Sequence, residues 1–166
     1  MKKTLILIAF ILGLYSPSMK AQVRLTEKTS GKEIFRLSAP NRQTVIRYDA
    51  NDATVVGKTV ELLATDLGLV TGRKGLPTTG DALPRNADVI IAGTIGQSAL
   101  IDQLIAQHKI AADTIAGSWE RYSILTVANP IPGVSKALVI AGSDRRGTAY
   151  GLLALSEAIG VNPWYW

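Results

Sequence analysis

The sequence predicts an α/β fold of α+β character, a mixed sheet with helices packed on it in the order β-α-β-α-β-β-α. Three observations predict this class. Short runs rich in Val, Ile and Tyr alternate with longer segments whose apolar residues recur every three or four positions. A Pro-Gly turn separates two of the short runs, which favours an antiparallel pair. No internal repeat or low-complexity linker interrupts the pattern, so helices with one apolar face each would cover a single sheet.

A strand and a long helix come first. Residues 44–48 (TVIRY) are rich in β-branched and aromatic side chains, which predicts a strand. After a turn, Asn51 or Asp52 is placed to cap a helix over residues 53–69, and Gly68 and Gly72 lie where that helix is expected to end. The apolar face of this helix consists of Val56, Val60, Leu63 and Leu67, widened by Val55, Leu62 and Leu69.

The remaining elements alternate between strands and helices. Residues 75–86, rich in Gly, Pro and Thr, predict a loop, and the apolar run at residues 88–93 is typical of a buried strand. Ser98 is placed to cap a second helix, which carries Leu100, Ile101, Leu104 and Ile105 on one side. The last three elements are strands at residues 122–128 and 137–141 and a helix at residues 145–159.

The first 21 residues have the three-part layout of a cleavable signal peptide. Lys2 and Lys3 supply positive charge, residues 5–15 are apolar, and Ala21 is the small residue that a signal peptidase needs. This run of 11 apolar residues is too short for a membrane anchor, which needs about 20. We therefore expect an exported protein, periplasmic or extracellular, with no membrane attachment after cleavage.

One domain is expected after the signal peptide. Residues 22–43 predict an irregular lead-in, polar and weakly patterned, with a short strand at residues 33–37. Residues 44–166 predict the α/β domain itself. The mature chain of 145 residues is long enough to bury its own core without disulfides.

The composition excludes several kinds of site. Loss of three lysines with the signal peptide lowers the formal net charge from +5 to about +2, which weakens the case for a nucleic-acid partner. The chain has no cysteine and a single histidine, His108, so neither a thiolate zinc site nor an imidazole cluster can form. A thiol-linked lipid anchor is excluded for the same reason. No acidic loop suggests calcium binding, and we expect neither a metal nor a cofactor.

Three short motifs have structural explanations. Residues 93–96 are glycine-rich, but they match neither a dinucleotide fingerprint nor a phosphate-binding loop, so a tight strand-to-helix turn is favoured. His108 follows the second helix, whose carboxyl end favours a cation. Asp49 and Asp52 surround a helix start, which is explained by capping. Spacing alone identifies no pair of carboxylates placed to cleave a glycosidic bond.

Residues 142–148 are the most distinctive stretch, and they join a strand to the last helix. Ser143 or Asp144 can accept hydrogen bonds from the first free amides of that helix. Arg145 and Arg146 lie in its first turn, where their charge opposes the helix dipole. Two explanations remain open: both arginines are solvated, or one of them meets a carboxylate on a neighbouring domain or a ligand.

This stretch resembles the N-terminal domain of glycoside hydrolase family 115. The resemblance is carried by residues 141–151 (AGSDRRGTAYG), residues 155–157 and residues 159–166 (IGVNPWYW). It covers most of the mature chain from residue 88 onward, in the family's order. Its upstream segments are residues 91–96, 100–102, 117–120 and 129–130. Other glycosidase families with a similar accessory domain share only a looser Gly-Thr-x-Tyr-Gly helix.

The resemblance implies an exported xylan α-1,2-glucuronidase, which removes (4-O-methyl)glucuronic acid from glucuronoxylan with inversion. In such a reaction one carboxylic acid protonates the leaving oxygen while a carboxylate activates water. The family carries this chemistry in a (β/α)8-type barrel that follows the resembling domain. No catalytic residue is therefore expected in residues 1–166, and this segment alone is expected to be inactive.

The chain ends on three large aromatic residues, which are normally buried or at an interface. We therefore expect the natural protein to continue into the barrel, with this segment as an accessory domain that docks on it. The candidate interface or cleft-side residues are Asp144, Arg145, Arg146, Trp119, Glu120, Trp164, Tyr165 and Trp166.

Two other functions compete with this interpretation. One is a non-catalytic exported carbohydrate-binding or adaptor domain, for which a row of exposed aromatic residues is expected. The other is a nucleotide-binding α/β domain, which is disfavoured by the absent phosphate loop and by export.

Overall fold

A five-stranded sheet with helices on both faces forms the centre of the molecule in a computed structural model that describes residues 34–161. The expected signal peptide, the start of the lead-in and the three terminal aromatic residues lie outside the described residues. The strands are β1 (Gln43–Arg47), β2 (Leu76–Thr78), β3 (Ala87–Thr94), β4 (Tyr122–Ala128) and β5 (Lys136–Gly142). The helices are α1 (Thr54–Thr71), α2 (Ala99–Ala106) and α3 (Arg145–Ala158).

The strands lie in the order β2-β1-β3-β5-β4. The first four in this order run parallel, and β4 pairs antiparallel with β5, with Ile124 opposite Ile140. The predicted mixed sheet and its antiparallel pair are confirmed. Because the parallel strands all end at one edge, the loops after β1, β3 and β5 lie beside the start of β4.

Two expectations about the sheet were wrong. The predicted loop at residues 75–86 contains β2, a three-residue edge strand whose Leu76 lies opposite Val45 of β1. Pro77 is tolerated there because an edge strand does not need every backbone N–H. The strand expected at residues 33–37 is absent from residues 34–37. Instead this segment lies against the core in irregular backbone, and its Leu37 carbonyl accepts a 2.7 Å hydrogen bond from the Thr44 hydroxyl.

The ends of α1 differ from the expected capping. The N-cap is Ala53, with no side-chain cap, so neither Asn51 nor Asp52 has the predicted role. At the other end Gly72 adopts a left-handed conformation with φ of 74°, and its N–H donates to Gly68 at 3.0 Å. A glycine is suited to this position because it lacks the Cβ that disfavours positive φ.

Alternate residues of each central strand face two separate apolar clusters. On one face α1 and α3 pack together over Ile90 and Ile140. On the other, α2 and the segment that follows it cover Val89 and Val139. Burial on both faces explains why β3 and β5 are apolar almost throughout, as parallel strands commonly are.

One part of the predicted α1 face is not in the core. Val56, Val60, Leu63 and Leu67 are buried, as expected. The three residues expected to widen this face point outward instead, with exposed fractions of 40% for Val55, 56% for Leu62 and 75% for Leu69.

A buried pair of hydroxyl groups connects β3 to α3. The Thr94 and Thr148 Oγ1 atoms lie 2.8 Å apart, and Thr148 Oγ1 also donates to the Asp144 carbonyl at 3.2 Å. Both threonines are almost fully buried. A buried hydroxyl that loses its partner retains the full cost of its desolvation.

Thr148→Val should therefore destabilise the domain by about 1–3 kcal/mol, because it leaves the Thr94 hydroxyl without this partner. The double variant Thr94→Val/Thr148→Val should recover most of that loss, since both polar groups are then replaced by methyl groups of similar shape. Urea unfolding of the natural chain, Thr94→Val, Thr148→Val and the double variant measures the coupling. Losses that simply add in the double variant would contradict the assignment.

Candidate functional site

Five of the eight predicted interface residues lie at the carboxyl edge of the sheet, where β5 leads into α3. The segment that enters β4 lies against this turn, so residues distant in sequence share one surface. We call it the Trp119 surface, and it consists of Trp119, Glu120, Asp144, Arg145 and Arg146.

Backbone contacts hold the two segments of this surface together. The Ser143 N–H donates to the Arg121 carbonyl at 2.8 Å, and the Arg121 N–H donates to Ser143 Oγ at 3.0 Å. Gly147 allows α3 to approach closely, since a Cβ at this position would lie 2.2 Å from the Arg121 carbonyl oxygen. The close approach is therefore built on backbone atoms and requires glycine.

Asp144 connects the helix to the same loop. Its Oδ1 accepts hydrogen bonds from the N–H groups of Arg146 and Gly147 at 2.9 and 2.8 Å, which makes it the N-cap of α3. Its Oδ2 accepts from the Glu120 N–H at 2.8 Å. These bonds, with the Glu120 amide the largest cause, lower the pKa of Asp144 below its ordinary value. The predicted capping role of Asp144 is confirmed, and its link to Glu120 is an additional one.

Glu120 has a backbone conformation that few residues other than glycine adopt, with φ of 54°. Its amide is fixed by Asp144, and its side chain accepts a 2.8 Å hydrogen bond from Arg146 Nη1. The hydrogen bonds to its amide and to its side chain therefore hold Glu120 in this left-handed conformation, next to the exposed Trp119. Such backbone outliers persist where the surroundings fix them, and they are frequent at functional sites.

The Arg146 side chain already has two partners within its own domain. Besides its ion pair with Glu120, its guanidinium carbon lies 5.8 Å from the centre of the Trp119 ring, within the range of a cation–π contact. The Glu120 carboxylate raises the pKa of Arg146. Arg146 therefore pairs with a carboxylate of its own domain, a partner that neither of the two open explanations included. Arg145 is exposed, and no hydrogen bond or ion pair of its side chain is found within residues 34–161.

The structure brings together five of the eight candidate residues, and Trp164, Tyr165 and Trp166 lie outside the described part. Trp119 is 75% exposed, which is unusual for a large aromatic side chain. Tyr150 and Leu153 extend the surface along α3 because they follow Arg146 at helical spacing, and both are partly exposed. Neither residue was among the candidates predicted from the sequence, although their spacing from Arg146 was a usable signal.

The crevice between β1 and β3 is where sheets of this kind commonly bind ligands. In this chain, backbone N–H groups in and beside the turn between β3 and α2 already donate hydrogen bonds to the chain's own carboxylates. Asp52 Oδ2 accepts from the Thr94 N–H at 2.7 Å, and Asp102 Oδ1 accepts from the Gly96 N–H at 2.8 Å. Asp49 Oδ2 accepts from Ala99 at 3.1 Å. The pair Asp49 and Asp52 therefore joins two loops instead of capping α1, and residues 93–96 make a turn between β3 and α2.

An open groove of about 510 Å³ lies at the other end of the molecule, between α2 and the β4–β5 turn. Lys109 borders it and donates to the carbonyls of Asn129 and Pro130. His108 is exposed beside it, just after α2. Within residues 34–161 no three His, Asp or Glu side chains are grouped to hold a metal ion. No helix in the same range is long and apolar enough to span a membrane.

Comparisons with known proteins identify a similar solved structure. No protein-family model matches the chain, and no curated protein matches it. The solved structure is BtGH115A, described as a family GH115 4-O-methyl-alpha-glucuronidase with specificity for decorated arabinogalactans. It is 35% identical, with a TM-score of 0.56, and the match covers 76% of this chain. The fold is therefore related to that of a GH115 glucuronidase.

This match spans 14% of the length of BtGH115A. The predicted relation to family 115 is confirmed at the level of fold, and correspondence to its N-terminal domain stays a prediction. A structure of CpGH84D is also similar, at 9% identity and a TM-score of 0.46, covering 73% of this chain and 18% of that one.

Proposed function

We propose, from the relation to a GH115 glucuronidase, that this chain is the accessory part of an exported α-glucuronidase. The catalytic carboxylates would belong to a barrel domain outside residues 1–166, acting with inversion on (4-O-methyl)glucuronic acid side chains. The observation that carries this proposal is the 35% identity to BtGH115A over 76% of the chain. The three-part leader in residues 1–21 supports export.

The proposed substrate is a polysaccharide decorated with glucuronic acid. We favour glucuronoxylan, and the description of BtGH115A makes decorated arabinogalactan the competing substrate. Both polymers are too large to enter a cell, which agrees with the proposed export. Release of 4-O-methylglucuronic acid from each polymer by the parent protein distinguishes them.

The proposed role of this chain is to dock on the catalytic barrel through the Trp119 surface. Large aromatic and arginine side chains contribute most at protein interfaces, and here Trp119 is presented on a loop fixed by Ser143 and Asp144. A rigid, preorganised side chain loses little entropy on binding. Arg145 remains available for a carboxylate on the barrel.

Trp119→Ala tests this docking. In the chain alone the melting temperature should change little, because the side chain is 75% exposed. In the parent protein the same change should lower the stability by about 2 kcal/mol or more, since a buried aromatic anchor is then lost. Leu69→Ala, at an equally exposed apolar residue on α1, is the matched control and should be neutral in both proteins. Equal effects of Trp119→Ala in both proteins would contradict docking.

A second function is favoured by the exposure of Trp119 together with Tyr122 and Tyr150. Such residues are what a carbohydrate-binding domain would present. Cosedimentation of the chain with insoluble glucuronoxylan tests this alternative. Retention that is lost in Trp119→Ala would favour binding over docking. A chain that releases glucuronic acid by itself would overturn the accessory assignment.

A further inference from the structure

The amino edge of the sheet, where the parallel strands begin, carries a group of basic side chains. Arg42 directly precedes β1, while Lys74 and Arg85 each lie two residues before β2 and β3. Because these three strands are neighbours spaced by about 4.8 Å, the segments before them lie side by side along roughly 10 Å of this edge. With Arg73, which follows α1, these residues make up what we call the basic edge.

Hydrogen bonds to the backbone hold the segments of the basic edge together. Arg42 Nη2 donates to the Ala87 carbonyl at 2.8 Å, which joins the start of β1 to the start of β3. Arg73 Nη1 donates to the Arg42 carbonyl at 3.4 Å. Gln43 Nε2 donates to the Lys74 carbonyl at 2.9 Å. The segments that carry the four basic residues are therefore fixed relative to one another.

Most of the positive charge at this edge is not neutralised within residues 34–161. Arg42 forms an ion pair with Asp88 at 2.8 Å. The Arg73 guanidinium bonds only to backbone carbonyls, which carry no net charge. Lys74 and Arg85 are exposed, and neither side chain forms an ion pair in the described part of the chain. Three positive charges therefore remain after Asp88 is counted against Arg42.

The dipole of α1 explains only part of this charge. The two basic residues that follow α1 lie where the carboxyl end of a helix favours cations. Arg85 follows no helix, because it lies in the loop between β2 and β3. The carboxyl edge has no comparable excess, since its arginines lie among the carboxylates of Asp49, Asp52, Asp102 and Asp144. The charge asymmetry of the two edges favours an anionic partner at the basic edge.

We propose that the basic edge binds the glucuronate-bearing polysaccharide itself, as a second contact with the substrate outside the catalytic barrel. This proposal rests on the proposed function, which supplies a partner with carboxylates on its side chains. A guanidinium group can donate two parallel hydrogen bonds to a carboxylate, so arginine is well suited to a uronate. The basic edge lies at the opposite end of the strands from the Trp119 surface. Docking through that surface therefore leaves the basic edge open to the polymer.

Affinity electrophoresis of the natural chain through gels containing soluble glucuronoxylan measures this binding, with each protein's mobility in plain gel as its reference. Retardation at about 20 mM salt should disappear at about 500 mM, because salt screens exposed charges. Arg73→Glu/Lys74→Glu should weaken binding by more than about tenfold, and Lys74→Glu alone by about threefold. Lys58→Glu, the same change at an exposed lysine within α1, is the matched control and should weaken binding by less than about 1.5-fold.

Glucuronoxylan with its carboxyl groups reduced to hydroxyls is the matched ligand, and binding to it should be at least about tenfold weaker. Equal binding of the reduced polymer, or an equal loss in Lys58→Glu, would overturn the proposal. Tighter binding of a DNA duplex at the same concentration of charge would assign the edge to nucleic acid and would also overturn it. Thermal unfolding verifies that each variant folds, which substitution at an exposed position should not disturb.

Kinetics of the parent protein separate this proposal from the proposed function. Arg73→Glu/Lys74→Glu should raise KM for glucuronoxylan about threefold or more and leave kcat unchanged, because the lost contact binds substrate without touching the reacting bond. KM for a short glucuronate-bearing oligosaccharide, which cannot reach both sites, should stay the same. A parent that releases glucuronic acid with an unchanged KM for the polymer would overturn this proposal alone. A parent that releases none, while the chain binds the polymer through this edge, would overturn the proposed function alone.

Discussion

Gly147→Ala is expected to destabilise the domain by about 2 kcal/mol or more, although glycine-to-alanine changes in helices usually stabilise by up to about 1 kcal/mol. The sign reverses because the new Cβ would lie 2.2 Å from the Arg121 carbonyl oxygen and 3.0 Å from its carbon. These are backbone atoms, so relief requires the segment before β4 to move away from α3. Urea unfolding measures the loss.

Gly57→Ala in α1 is the matched control. Its Cβ would meet the edge of the Tyr48 ring at 3.3 Å, and that side chain can move. This variant should be neutral or stabilising by up to about 1 kcal/mol. If both variants stabilise the chain alike, the close approach at Gly147 is not a constraint. Hydrogen exchange of the Glu120 amide in Gly147→Ala should accelerate, because the loop that presents Trp119 has shifted.

Substitution of Asp144 is expected to have the second large effect, since this carboxylate caps α3 and also holds the Glu120 amide. Asp144→Ala should cost about 2–3 kcal/mol, from a lost cap and an amide without its partner. Asp144→Asn separates the two contributions. Its side-chain oxygen can still cap α3, while its amide group would face the Glu120 N–H, donor against donor. We therefore expect about half the loss.

The loss of stability caused by Asp144→Asn should depend on pH, and it should become smaller as the pH falls. The pKa of Asp144 is lowered in the folded state, so its charged form favours folding. That contribution is complete above the ordinary carboxyl value of 3.8 and disappears as the pH falls through the lowered folded value. The stability difference between the natural chain and Asp144→Asn should therefore narrow below about pH 4. A difference that stays constant from pH 7 to below pH 3 would contradict this assignment.

Local chemistry made most of the fold predictable. Four of the five strands and all three helices of the described part lie close to their predicted positions. Ser98 Oγ accepts from the Ile101 N–H as a cap should, and Gly72 ends α1. These features depend on neighbours within a few residues, so the sequence contains them directly. β2 escaped prediction because three residues that include a proline become a strand only by pairing with β1.

The sequence identified residues of the candidate site, but it did not predict the contacts between them. The unusual position of two arginines after Asp144 and the resemblance to family 115 both pointed to residues that the structure places close together. Neither showed that Arg146 pairs with Glu120, which lies 26 residues earlier. Contacts of that separation depend on the path of the chain through β4 and β5. The sequence therefore left open a partner on another domain, and the sheet supplied one in the same domain.

The sequence by itself determined the periodicities and the caps of α2 and α3, because those depend on interactions between residues close along the chain. Only the tertiary structure decided which periodic residues are buried and which distant segments meet. Val55, Leu62 and Leu69 share the helical spacing of the buried face, yet they point away from the sheet. The physical reason is that a helix can bury only the side that meets its neighbours, and the packing of α1 against α3 and the sheet sets which side that is.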